Sequence, residues 1–165
     1  MRVFGIDPGS TVTGYGVIER VRGRFVHVAS GAIRTKSDEP MGDRLQRIHT
    51  GLREALERTK PDHVAIEAIF QHKSSESALR LGQARGVAIL AAALQGHHAA
   101  EYNPMAVKKA VGAHGAADKD AVARMVCMLL GVKPEGPADV TDALAIAITH
   151  SASLASPLVR AGVVR

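Results

Sequence analysis

The first 35 residues constrain the fold most. Three apolar runs, "RVFGID" (residues 2–7), "TGYGVIER" (13–20) and "RFVHVASGAIRT" (24–35), are separated by short breaks that each carry glycine. Breaks this short cannot hold a parallel crossover, which needs about a dozen residues or more. The three strands must therefore turn back on one another as an antiparallel meander. The pattern then changes. Over residues 41–60, Leu45, Ile48, Leu52 and Leu56 recur at three- and four-residue spacing with charges elsewhere, which predicts an amphipathic helix ended by Pro61. A short strand follows at 63–67, then a long helix over 75–96 with Ser75 as N-cap, and a weaker strand at 97–102. Helices over 103–111, 118–131 and 139–153 complete the order βββαβαβααα, the first opened by Asn-Pro and the second stopped by Gly131. Strands reached through helices join a sheet in parallel. The expected fold is α/β: a five-stranded mixed sheet flanked by helices, with strand 2–7 central and beside strand 63–67. Residues 1–153 are read as one domain, and 154–165 as a flexible C-terminal tail.

Charge and cysteine usage narrow the partners. Lys and Arg outnumber Asp and Glu by 21 to 16, a formal charge of +5, which favours a polyanion such as nucleic acid. The single cysteine, Cys127, excludes an internal disulfide and fits a reducing compartment. It lies in the apolar run "RMVCMLLG" and is read as a buried, inert thiol. The stretch "GVAILAAALQG" (86–96) is too short and too Ala-rich to span a bilayer, and the N-terminus enters a strand with no secretory segment. The expected location is the cytoplasm, with no membrane partner. The small side chains of 86–96 suit either an interface between two copies or core packing.

The chemistry lies in the acids. Asp7 ends the first strand and Glu67 the fourth, so on adjacent parallel strands both stand at the carboxyl edge, where open α/β sheets place their sites. Asp7 also suits an Asp-Pro-Gly turn. Glu67, set in "VAIEAIF", needs a cation or an arginine partner if buried. Asp139 and Asp142 share one face at the start of the last helix, on a stripe with Ile146 and Thr149. Asp139 as N-cap and Asp142 in the first turn would also suit the positive helix end. Glu101, at the end of the fifth strand, is a competitor ranked lower, because that strand is expected further from the first and Glu101 suits a cap on the next helix. Four carboxylates from three elements make a hard oxygen site for Mg²⁺ or Mn²⁺, and no Cys/His spacing supports zinc. Two such ions about 3.5–4 Å apart clamp the attacking and leaving oxygens of a phosphoryl displacement.

Taken together, "GIDPGSTVTGYGVIE", "AIEAIF", "SALRLGQARGVAI", "EYNPMAVKKAV", "ADK" and "DVTDALAIAITH" resemble the RuvC family of bacterial Holliday-junction resolvases, in order and over roughly residues 2–150. The resemblance implies an RNase H-like fold and a homodimer that resolves four-way DNA junctions by paired symmetric nicks in recombination and repair. It also implies two Mg²⁺ per site, with Mn²⁺ able to substitute, 5′-phosphate products, and the partners RuvA and RuvB. Asp7, Glu67, Asp139 and Asp142 match the family's catalytic, metal-binding acids. Lys108 and Lys119 match its functional basic residues, and Phe70 matches an aromatic placed against a base near the crossover, although on the residues alone Phe70 suits a core position closing the sheet edge equally well. Lys119, in a helix's first turn, is a mild misfit with the dipole that suits a residue placed for a phosphate. Lys108, in a basic pair, suits a solvated face equally well. The chain departs from the family in "VGAHG", where Gly112 and Gly115 are three apart, and at Gln71 and His72, where a Met-Ala pair is commoner. His72 and His114 are read as surface histidines.

Two other classes are open to such a chain. "GIDPGSTVTGYG" also suits the phosphate loop of an actin-like kinase or ATPase, although 165 residues are few for two duplicated lobes. A non-catalytic junction-binding module is the other, but four acids at its edge would repel phosphate without return.

Overall fold

The computed structural model describes residues 1–68, 74–112 and 119–155. Its elements are β1 (Arg2–Asp7), β2 (Val12–Val21), β3 (Arg24–Arg34), α1 (Met41–Thr59), β4 (His63–Glu67), α2 (Ser75–Leu94), β5 (Ala99–Tyr102), α3 (Pro104–Ala110), α4 (Lys119–Leu130) and α5 (Ala138–Leu154). The sheet order is β3-β2-β1-β4-β5. The first three strands pair antiparallel, and β1–β4 and β4–β5 pair parallel. Residue alternation sends β1 and β4 side chains to two cores. Phe4, Ile6, Val64 and Ile66 face α1 and α2, while Val3 and Ala65 face α3, α4 and α5. In register, Ile6 lies beside Ile66, so Asp7 and Glu67 leave the sheet side by side.

Local details differ from the sequence-based expectation. The α2 N-cap is Ser74, not Ser75; the Ser77 backbone N–H donates to its Oγ at 3.2 Å. Asp139 does not cap α5: Pro137 holds that position with no side-chain bond, and Asp139 sits in the first turn. Glu101 does not cap α3, where Asn103 accepts from the Ala106 N–H at 2.8 Å; Glu101 pairs instead with Arg85. Cys127 is half-buried rather than buried, because α4 turns that side of itself away from its core contacts. Helix α5 continues through Leu154, one residue into the expected tail, and 156–165 lie outside the described residues. The charges of α1 are not all outside its apolar stripe: Arg44, four residues before Ile48, is only 3 % exposed.

Helix α5 lies unusually close to the sheet, and glycine permits it. A Cβ on Gly5 or Gly14 would come closer than 3.0 Å to backbone oxygens of α5, those of Ala143 and Asp139. On Gly16 it would overlap the Leu144 side chain. Gly5 pairs with Gly16 and Asp7 with Gly14, so these glycines form a path along β1 and β2 that ends at the acidic edge.

At its other end, α5 carries His150, 7 % exposed, whose Nδ1 lies 2.9 Å from the Tyr102 hydroxyl; that hydroxyl is 2.7 Å from the Ser153 Oγ. Burial, and after it the nearby His63, pushes the imidazole pKa down to about 4. Unfolded, this histidine titrates near 6.5, so its contribution is complete above that pH and is lost as pH falls towards 4. Between pH 7 and pH 4.5, urea unfolding should show a loss of about 2 kcal/mol through this group. His150→Gln should flatten that part of the profile, and an unchanged slope would exclude the assignment.

Candidate active site

At the carboxyl edge a cleft of about 160 Å³ is lined by Asp7, Glu67 and Asp142, with Lys108 beside them and Pro104, Val107, Val122 and Ile146 as its apolar wall. Each acid arrives by a different local rule. Asp7 is the last residue of β1, stopped there by Pro8, whose missing N–H cannot continue a ladder. Glu67 is the last residue of β4. Its carbonyl accepts from the Arg85 Nε at 3.1 Å, and the Ala68 N–H donates to the Tyr102 carbonyl at 2.8 Å, so both neighbouring elements hold the strand end. The acid that Arg85 pairs with is Glu101, at 2.5 Å. Asp142 stands one turn inside α5, four residues before Ile146, which lines the same cleft.

Three of the four expected acids thus share one cleft. Asp139 does not line it; its main chain rests on Gly14, the residue opposite Asp7 in the β1–β2 ladder. Lys108 is half-buried at the cleft while Lys109 is exposed, which separates two lysines that the sequence leaves equivalent. Lys119 is the first residue of α4. Phe70, Gln71, His72, His114 and Gly115 lie outside the described residues.

The carboxylates surround the cleft without closing on one point. Among the described residues no group of three or more His, Cys, Asp or Glu is gathered tightly enough to hold an ion as it stands. The donors at the cleft are nevertheless all hard oxygens, the set that Mg²⁺ and Mn²⁺ take. Like charges facing one small space also favour a cation there. In donor chemistry, then, the residues fit a divalent ion.

A second layer escaped sequence reading. The loop after Asp7 is bound at successive backbone atoms: the Gly9 N–H donates to Thr13 Oγ1 at 3.3 Å, and Thr13 Oγ1 donates to the Gly9 carbonyl at 2.8 Å. The Ser10 carbonyl accepts from Thr35 Oγ1 at 2.6 Å and from Arg44 Nε and Nη2 at 3.1 and 2.5 Å. The Thr35 N–H donates to the Thr11 carbonyl at 2.9 Å. Arg44 had a signal in its place on the apolar stripe of α1; Thr13 and Thr35 had none.

The family model for the crossover junction endodeoxyribonuclease RuvC matches residues 3–150. The chain belongs to the RuvC family. RuvC of Geobacter sulfurreducens is 47% identical over 153 residues, 93% of each chain. RuvC of Myxococcus xanthus is 51% identical over 152 residues, covering 91% of this chain and 80% of that one. Among solved structures, RuvC of Thermus thermophilus in complex with a Holliday junction substrate superposes with a TM-score of 0.85 at 39% identity, over 92% of this chain and 93% of that one. The mixed sheet with helices on both faces is thus the RNase H-like fold of RuvC.

No described helix is long and apolar enough to cross a membrane. On α2, Ala84, Ala88, Ala91 and Ala92 are core, whereas Leu79, Leu90 and Leu94 are 65, 51 and 65 % exposed and share the opposite face with Gly86. The Ala-rich segment therefore serves the core on one side and presents an apolar stripe on the other.

Proposed function

We propose that this chain is a divalent-metal-dependent endonuclease that resolves four-way DNA junctions by paired nicks, leaving 5′-phosphate ends, in recombination and repair. The observation that carries this reading is the convergence of Asp7, Glu67 and Asp142 with Lys108 on one cleft, in a chain of the RuvC family. Asp7, Glu67 and Asp142 would hold Mg²⁺, or Mn²⁺ in its place, two ions per site, with Asp139 as a further ligand. When bound, such ions lower the pKa of an attacking water and offset charge on the attacking and leaving oxygens of a phosphodiester. The protein's own part is positional. Asp7 and Glu67 are fixed by paired strand ends and Asp142 by a helix seated on them. Lys108 offers a cation to a phosphate oxygen entering the cleft, and the apolar wall limits water there. Lys119 would hold a neighbouring phosphate, and Phe70 would stack on a base near the crossover.

Residues 1–153 would act as one nuclease domain in the cytoplasm with RuvA and RuvB, and 154–165 as a flexible tail. Two opposed nicks need two sites. The exposed stripe Leu79, Gly86, Leu90 and Leu94 supports pairing with a second copy through α2, where glycine lets helices approach. Leu90→Glu combined with Leu94→Glu should give a monomer in sedimentation and leave single nicks in a plasmid-borne cruciform; a variant still dimeric and still cutting both strands would exclude α2 as the interface.

The test of the activity is a labelled four-way junction incubated with the protein in Mg²⁺ and again after EDTA. Symmetric cuts with ligatable ends are expected in Mg²⁺, and intact junction in EDTA. Binding without cutting in either Mg²⁺ or Mn²⁺ would favour a junction-binding module instead, and ATP hydrolysis without DNA cleavage would favour the kinase-like reading.

A further inference from the structure

Arg44 is a cation in a place where cations are costly. It is 3 % exposed, and among the described residues no carboxylate lies within ion-pair reach of it. Its acceptors are the Ser10 carbonyl and the Thr35 hydroxyl, both neutral. A buried guanidinium carries a desolvation penalty that neutral acceptors offset poorly. A neutral amide could satisfy one carbonyl at less cost. What the planar fork adds is direction: Nε and Nη2 grip one oxygen together and fix the orientation of that peptide.

That peptide is close to Asp7 along a stiff path. Pro8, buried, has a fixed φ and restricts the backbone of Asp7 before it. Gly9, itself permissive, is held on both sides by Thr13 Oγ1, to its N–H at 3.3 Å and its carbonyl at 2.8 Å, and packs too close to the Val12 carbonyl for a side chain. With Gly9 pinned in this way, a change of peptide orientation at Ser10 bears on the end of β1. We propose that Arg44 is a positioning residue for the metal site, holding the Ser10 carbonyl so that the Pro8–Thr11 turn sets the Asp7 carboxylate in the cleft. This rests on reading Asp7 as a metal ligand. It assigns α1, which contributes no side chain to the cleft lining, a part in the site's geometry.

The test uses Arg44→Gln, Arg44→Lys and, as a milder change to the same carbonyl, Thr35→Val. In Arg44→Gln, hydrogen exchange of the amides of residues 9–12 should rise about ten-fold or more. The Mn²⁺ concentration at half-maximal thermal stabilisation, read without DNA, should rise about 10–100-fold, the usual effect of losing a partner that orients a metal ligand. The kcat for junction cutting should fall over the same range, while junction Kd in EDTA stays within about two-fold. Arg44→Lys should recover part of each loss, and Thr35→Val should shift each readout in the same direction by less. Should Arg44→Gln not fold, the other two variants carry the test. A variant with lowered Tm but wild-type loop exchange and Mn²⁺ midpoint would overturn the proposal, leaving Arg44 a packing residue. So would a junction Kd that rises in step with the loss of cutting, which would make Arg44 a DNA contact. If wild type shows no Mn²⁺ stabilisation, the metal-site reading fails, and loop exchange alone then shows whether Arg44 orders the turn.

Discussion

Asp7→Asn should lower junction cutting by more than about a thousand-fold at saturating Mg²⁺, equivalent to about 4 kcal/mol of lost transition-state stabilisation. The substitution keeps size and shape but removes a negative charge from the cleft that Glu67 and Asp142 share. The turn that follows survives, because its bonds run through Gly9, Ser10 and Thr11 backbone atoms to Thr13, Thr35 and Arg44, none of which uses the Asp7 carboxylate. The turn after β1 should therefore persist in the variant, which a thermal melt and hydrogen exchange of residues 9–12 would check. Junction binding should persist or tighten slightly, since one repulsion of phosphate is gone. The decisive comparison is single-turnover cutting against gel-shift affinity on the same junction. Cutting within ten-fold of wild type would remove Asp7 from the chemistry.

Gly5→Ala should be among the most damaging single-methyl changes available in this chain. Gly5 lies in the middle of the central strand, paired to Gly16 on one side and Ala65 on the other. A Cβ there would press on the Ala143 carbonyl and the Ala147 amide, both backbone atoms of α5 that no rotamer change can move. Overpacking costs about 1–3 kcal/mol when side chains can adjust. Here a whole helix must lift, so about 3 kcal/mol or more is expected. For a domain of this size that lowers Tm by roughly 10 °C. The lift also carries Asp142 away from Asp7 and Glu67, so residual cutting at temperatures where the variant is folded should be strongly reduced. Thermal melts and cutting assays at 20 °C would separate the two effects. A Tm within 2 °C of wild type would show that α5 is free to shift.

The architecture was legible because its signals are local. Short glycine-bearing turns compel the meander, and the three-four spacing of Leu45, Ile48, Leu52 and Leu56 marks α1 without reference to any partner. The strand ends carried Asp7 and Glu67 to one edge once β1 and β4 were placed side by side. What escaped depends on contacts distant in sequence. Nothing near Gly5, Gly14 or Gly16 says that a helix from the far end of the chain needs their missing side chains. Arg44 stands on the apolar stripe of α1, but nothing local says that its partners are Ser10 and Thr35. Asp139 and Asp142 are indistinguishable by spacing, yet Asp142 lines the cleft while the Asp139 main chain rests against Gly14 one turn earlier. Ser74 and Ser75 are equal as caps in composition, and only backbone geometry separates them.

The seating of α5 on the glycine path has a consequence for when the protein can act. Asp7 and Glu67 are made early, and the third acid of the cleft arrives with the last helix. A nascent chain, or one cut short before residue 142, has strand ends but no closed cleft. On the proposed assignment of Asp142, cutting waits on the docking of α5 against β1 and β2. The site is then completed by tertiary packing and not by the strand ends alone.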